Sequence, residues 1–169
     1  RHTLYKNNGD GTFADVTERV KLSDGPKGGK GIGVILVDVD GDCKPDVYVA
    51  NDTDDNFLYL NRGKKAGAPE LEEVALFVGV ARDDRGVANG SMGLDAGDFD
   101  RSGRASLLVT NYENELPALY RNRTDGGRAT FTYDTLRSGM GAIGASYVSW
   151  GTGFFDHDLD GWEDALIVS

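Results

Sequence analysis

A nine-residue aspartate loop occurs three times in this chain, and its spacing constrains the fold more than any other feature. The copies are DVDGDCKPD from Asp38, DFDRSGRAS from Asp98 and DHDLDGWED from Asp156, starting 60 and 58 residues apart. Their flanks repeat with them. A glycine stands five residues before each loop, at Gly33, Gly93 and Gly151. An apolar run follows each one: VYVAND, LLVTNY and ALIVS. A Leu-Tyr pair recurs at Leu4-Tyr5, Leu58-Tyr59 and Leu119-Tyr120. After a turn come FADVT from Phe13, LEEVA from Leu71 and FTYDT from Phe131. Self-similarity at a fixed period of this size marks a repeat architecture.

Each unit of about 60 residues holds four short strand-like runs joined by turns, the content of one propeller blade. Runs such as GVILV (33–37) and DVYVA (46–50) are apolar on both faces, as strands between two neighbouring sheets must be. FADVT and LEEVA alternate polar and apolar, as half-exposed outer strands do. The expected fold is therefore all-β: a propeller segment of about three four-stranded blade-equivalents. Residues 1–28 read as an outer half-blade, 29–88 and 89–147 as blades, and 148–169 as an inner half-blade. The chain starts at Arg1 in mid-pattern, so it reads as a piece of something longer. Alternatively, two chains complete each other's split blade in a ring of about six.

Composition excludes several classes. Glycine is frequent at 24 of 169 residues, proline rare at 4, and no stretch is of low complexity, which argues against disorder. A net charge of −10 repels phosphate backbones, so nucleic acid is not an expected partner. Cys43 is the single cysteine, so no disulfide forms within the chain. No apolar run approaches the roughly 18 residues of a membrane-spanning helix, and no signal peptide is visible.

The loops point to a cation. D-x-D-x-D-G resembles the start of an EF-hand loop, but the bidentate Glu required at position 12 is replaced by Val49, Val109 and Ile167. The fourth carboxylate comes instead at position 9, in Asp46 and Asp164. Such a loop between strands can wrap one hard cation with side-chain oxygens from positions 1, 3, 5 and 9 and the backbone carbonyl of position 7. All-oxygen ligation with several carboxylates favours calcium over magnesium, and the lack of clustered Cys and His argues against zinc. Asp156, Asp158, Asp160 and Asp164, with the Trp162 carbonyl, form the most complete set. Asp38, Asp40, Asp42 and Asp46, with the Lys44 carbonyl, form the second, where Cys43 replaces the usual glycine. The middle loop keeps Asp98, Asp100 and Ser102, ends in Ser106, and carries Arg101 and Arg104, whose charges oppose a cation. Two calcium ions are expected, with a weak third site.

GKGIGVILVDVDGDCKPDVYVANDTDDNFLYLNRG is similar to the FG-GAP/VCBS repeats of integrin-α-type β-propellers. LYKNNGDGTFADVT, MGLDAGDFD and SWGTGFFDHDLDGWEDALIV resemble the group found with cartilage acidic protein and ASPIC/UnbV-associated proteins. The resemblance implies a calcium-braced propeller outside the cytoplasm, secreted, periplasmic or at the cell surface. It also implies that the loop aspartates named above are calcium ligands.

Other chemistry is sparse. No G-x-S-x-G nucleophile motif occurs, His2 lies at a terminus, and His157 reads as a solvated loop residue. NDTDDN (51–56) and NYENELP (111–117) are polar and unequal, as ligand-binding rim loops are, with Asn51, Asp52, Asp54, Asn111 and Glu113 as candidates. Trp150 and Trp162 are expected to pack between blades. The leading functional expectation is a non-enzymatic binding or adhesion scaffold for a protein or glycan. The alternatives are a carbohydrate lyase or hydrolase domain, and an assembly module that docks on the rest of a propeller or on a second copy.

Overall fold

The computed structural model of the chain describes residues 1–23, 28–65 and 67–169. Residues 24–27, at the end of the first expected segment, lie outside the described residues. The strands are β1 (Tyr5–Asn7), β2 (Phe13–Asp15), β3 (Gly31–Val37), β4 (Asp46–Asn51), β5 (Phe57–Asn61) and β6 (Leu71–Glu73), then β7 (Ser91–Gly97), β8 (Ser106–Asn111), β9 (Ala118–Asn122), β10 (Phe131–Tyr133), β11 (Gly151–Phe155) and β12 (Asp164–Val168). One helical turn, α1 (Ala75–Val78), follows β6.

The strands form two antiparallel four-stranded sheets in meander order, β3-β4-β5-β6 and β7-β8-β9-β10. Two-stranded sheets, β1-β2 and β11-β12, stand before and after them in the chain. The repeat holds at the level of register. Val47, Tyr48 and Val49 pair with Tyr59, Leu58 and Phe57, and Leu107, Leu108 and Val109 pair with Tyr120, Leu119 and Ala118. This stack of four-stranded meanders is the propeller type of all-β fold.

Alternation along the strands divides the core in two. Tyr48 and Ala50 of β4 and Leu58 and Leu60 of β5 meet Leu107, Val109, Ala118 and Tyr120 of the next blade. The opposite faces, Val49, Phe57 and Tyr59, pack on Val16 and Val20 beside the β1-β2 hairpin. The buried tyrosine hydroxyls find acceptors: Tyr48 donates to the Val80 carbonyl at 2.8 Å and Tyr120 to the Arg82 carbonyl at 3.1 Å. Both faces of β4 are thus apolar for the expected reason. β3 differs from that expectation. Ile35 and Val37 pack toward the second blade, but Ile32, Val34 and Leu36 are exposed, because no inner strand covers that face.

Glycine sets the distance between blades. A Cβ on Gly33 would come to 2.5 Å from the Met92 carbonyl oxygen, and one on Gly93 would collide with the Trp150 carbonyl oxygen. Only a residue without a side chain lets the innermost strands approach so closely.

Candidate metal centres

Each aspartate loop joins the first and second strands of a sheet, so all three lie at the same end of their strands. Their backbones share one conformation. Position 4 is left-handed in each, at Gly41 (φ 79), Arg101 (φ 52) and Leu159 (φ 62). Position 6 is left-handed as well, at Cys43 (φ 62), Gly103 (φ 76) and Gly161 (φ 84). Cys43 thus adopts the left-handed conformation that glycine takes at this position in the other two loops.

The first aspartate organises each turn by accepting backbone N–H groups. Asp38 accepts from Gly41 at 2.8 Å and Cys43 at 2.8 Å. Asp98 accepts from Ser102 at 2.8 Å and Gly103 at 2.8 Å. Asp156 accepts from Asp160 at 3.1 Å and Gly161 at 2.7 Å. The effect is to point the carboxylates of positions 1, 3 and 5 together. Oxygens of Asp38, Asp40 and Asp42 lie within 4.8 Å of one another, and so do those of Asp156, Asp158 and Asp160. The middle loop brings together Asp98, Asp100 and Ser102, with the Ser102 hydroxyl 3.4 Å from Asp98. An all-oxygen donor set of this kind suits calcium.

Position 9 is placed differently from the other three. Asp46 is buried, and both its oxygens accept backbone N–H groups, from Val39 at 3.0 Å and Asn61 at 2.8 Å. Burial raises its pKa from 3.8 to about 6; the two N–H groups offset part of this, and the charges of Asp40 and Asp42 add to it. Asp164 accepts from the His157 N–H at 3.0 Å, and the His157 ring pairs with the same oxygen. That contact raises the His157 pKa and, with the N–H, lowers that of Asp164. His157 is the exposed loop residue that the sequence suggested, and its ring is tied to the loop through Asp164.

Cationic side chains distinguish the three loops. Arg62 reaches Asp40 at 2.8 Å, and Lys44 pairs with Asp42, holding its pKa low. Asp100 is half-buried beside Arg121 at 3.3 Å. Burial pulls its pKa up, but the Ser102 hydroxyl and Arg121 outweigh this and hold it low. Arg101 does not oppose a cation in its own loop, as its position suggested. It crosses to the third loop, donating to the Gly161 carbonyl at 2.7 Å with its guanidinium 4.1 Å over the Trp162 ring. Sequence reading missed Arg62, Arg121 and Asn122; the last donates at 2.9 Å to the Val39 carbonyl and holds the first loop from the second blade.

The opposite ends of the strands carry 51–56 and 111–117, separated from the metal loops by the length of β4, roughly 20 Å. Asn51 and Asn111 are not exposed there. Asn51 donates to the Asp55 carbonyl at 2.7 Å and Asn111 to the Leu116 carbonyl at 2.6 Å, so both are buried braces of their turns. Asp52 and Asp54 are half-buried, Asp54 near Lys30 at 3.4 Å, while Glu113 is exposed. Thr53, Asp54, Asp55 and Arg82 line a cleft of about 570 Å³ at this rim. Trp150 and Trp162 are both largely exposed, although Trp162 does meet the second blade through Arg101.

Stacked four-stranded meanders with a repeated aspartate loop between their first two strands define a propeller-type repeat protein. Residues 1–49 and 38–109 match the model of the FG-GAP-like repeat. These matches cover more than half of the chain, which belongs to the FG-GAP-like repeat family. No curated protein matches the chain.

Proposed function

We propose that this chain is part of a calcium-stabilised propeller, outside the cytoplasm, that serves as a non-enzymatic binding or adhesion scaffold for a protein or glycan. The cluster of Asp156, Asp158 and Asp160 carries the reading. Their carboxylate oxygens lie within 4.8 Å of one another, and among the described residues no Lys or Arg forms an ion pair with these carboxylates, Arg101 donating instead to the Asp160 backbone carbonyl at 3.3 Å. Repulsion at that distance is relieved most directly by a hard dication.

Asp156, Asp158, Asp160, Asp164 and the Trp162 carbonyl would hold one ion. Asp38, Asp40, Asp42, Asp46 and the Lys44 carbonyl would hold another, and Asp98, Asp100 and Ser102 a weaker third. Bound calcium supplies charge neutralisation that pins each turn. The residues themselves set the turn through their N–H acceptors, leaving the opposite rim with Asp52, Asp54 and Glu113 for a partner. Membership of the FG-GAP-like repeat family, whose repeats typically serve as binding modules, supports the non-enzymatic reading.

Thermal unfolding with EDTA, excess calcium or excess magnesium tests this. Calcium at about 100-fold over its dissociation constant stabilises the folded state by about 2.7 kcal/mol. A calcium-specific rise in Tm, abolished in large part by Asp158→Ala, is expected. An unchanged Tm would overturn the metal reading.

A further inference from the structure

We propose that the rim opposite the aspartate loops holds one neutral sugar ring of a glycan, in a cleft that Asn89 shares with Tyr133. The inference rests on the reading of this rim as a binding face and narrows its ligand to a neutral carbohydrate. The residues involved belong to the β7-β10 blade or to the connector 82–90 that leads into it, so both sides of the cleft are complete.

Asn89 carries the argument. It is 7% exposed and lines a cleft of about 200 Å³. Its backbone is pinned across the blade junction: its carbonyl accepts the Thr53 N–H at 3.0 Å, and Gly90 next to it bridges to Asp52. Its side-chain carboxamide has no hydrogen-bond partner among the described residues. The other buried asparagines use theirs within the chain: Asn51, Asn56, Asn61, Asn111 and Asn122 each bond a backbone group. A carboxamide offers two donors and an acceptor, and a buried one left unpaired costs free energy. Asn89 therefore takes its partner from whatever enters the cleft.

The wall facing it is a departure from the repeat. Tyr133 pairs with Tyr120 across β9-β10 as Glu73 pairs with Tyr59 across β5-β6. Glu73 braces its own blade, accepting the Leu58 N–H at 3.3 Å and the Ala75 N–H at 2.8 Å. In the β7-β10 blade Thr135 takes over that work. Its hydroxyl accepts the Leu119 N–H at 2.9 Å and donates to the Pro117 carbonyl at 2.9 Å. Position 133 is thereby released to carry an aromatic ring into the cleft, held edge-on against Tyr120 at 5.8 Å. Leu116 and Leu136 complete an apolar wall, which suits the C–H face of a sugar ring. Asn89, with Asn114 and Asp84 also in the lining, offers both donors and acceptors to ring hydroxyls.

Charge and size select the ligand class. Arg85 is committed to Asp83, with Nε at 3.0 Å and Nη2 at 2.8 Å from Oδ2, so it does not single out a sulfate or carboxylate. Asp84 has no ion pair among the described residues and would repel an anion. A volume of about 200 Å³ is below the roughly 300–1,000 Å³ of sites for drug-sized ligands, and accommodates one ring in place of a peptide segment. The connector is also set before binding. Asp83 Oδ1 accepts the N–H groups of Arg85 at 3.0 Å and Val87 at 2.8 Å, which limits the ordering cost of closing on a ligand.

The test is NMR of the whole chain with a panel of neutral methyl hexosides, using Asn89→Ala and Tyr133→Glu as variants. Saturation transfer to at least one hexoside at millimolar concentration is expected, with a shift of the Asn89 side-chain amide signals. Asn89→Ala is expected to weaken that binding about tenfold or more, because a buried carboxamide pair is lost. Tyr133→Glu installs the residue that the β3-β6 blade has at this position, and is expected to abolish binding with an unchanged circular dichroism spectrum. It keeps the test decisive if Asn89→Ala does not fold. Hexosides that shift Asp52 and Asp54 but not Asn89 overturn this site and leave the rim standing as a glycan-binding face. Binding confined to sulfated or carboxylated sugars overturns the neutral class. No hexoside binding, with the Asn89 amide unmoved, overturns the proposal, assigns water to Asn89 and leaves the rim to a protein partner.

Discussion

Arg101 of the second loop lies 4.1 Å over the ring of Trp162 in the third, and its Nε donates to the Gly161 carbonyl at 2.7 Å. The last hairpin is thereby fastened to the preceding blade through a side chain, beside the strand packing of β7 on β11. Arg101→Ala is expected to cost about 1 kcal/mol, the scale of an exposed cation–π contact with one added hydrogen bond. Arg101→Lys keeps the charge but not the planar fork, and is expected to recover less than half of the loss. Melting at fixed calcium reads both; full rescue by lysine would show that charge alone matters.

Asp40 and Asp158 hold the same loop position but have different partners. Asp40 is buried and meets Arg62 at 2.8 Å, whereas Asp158 has no basic side chain paired with it among the described residues. Asp40→Asn is therefore expected to destabilise the protein by about 1–2 kcal/mol even in EDTA, allowing for the partly exposed arginine. Asp158→Asn is expected to be neutral in EDTA and costly only with calcium. Equal losses in EDTA would contradict the distinction.

Cys43 sits at φ 62, where the other two loops have glycine. A left-handed conformation costs an L-residue roughly 1–2 kcal/mol, and glycine gives back part of that in unfolded-state entropy. Cys43→Gly is expected to stabilise the protein by roughly 0.5–1 kcal/mol, read by denaturant midpoint. A destabilised variant would show that the thiol makes a compensating contact.

Asp46 gives a pH dependence. Its folded pKa is raised to about 6 from 3.8, chiefly by burial. The folded state thus binds this proton more tightly than the unfolded chain does. In calcium-free protein its contribution to stability is complete below 3.8 and is lost as pH rises through about 6. Calcium must displace that proton, so affinity at the first loop is expected to fall as pH drops from 7 to 5. Calcium titrations at several pH values, with carboxyl-carbon NMR of Asp46, check this; affinity flat down to pH 5 would refute it.

The sequence by itself determined the repeat unit, the strand order within it and the aspartate positions that converge. These are local properties. Alternation of apolar residues decides which strand faces lie against neighbours, and the turn of each loop follows from its own Asp carboxylates and left-handed positions, as Asp38 and Asp156 show. Tertiary structure decided what compensates each charge. Arg62 stands 22 residues from Asp40 and Arg101 stands 60 from Gly161, distances at which no spacing rule operates. It also decided that Asn51 and Asn111 brace their turns instead of facing a ligand, and that both oxygens of Asp46 are engaged by Val39 and Asn61. Long side chains choose partners only after the sheets stack, because direction and burial at a blade junction are set by two repeats together.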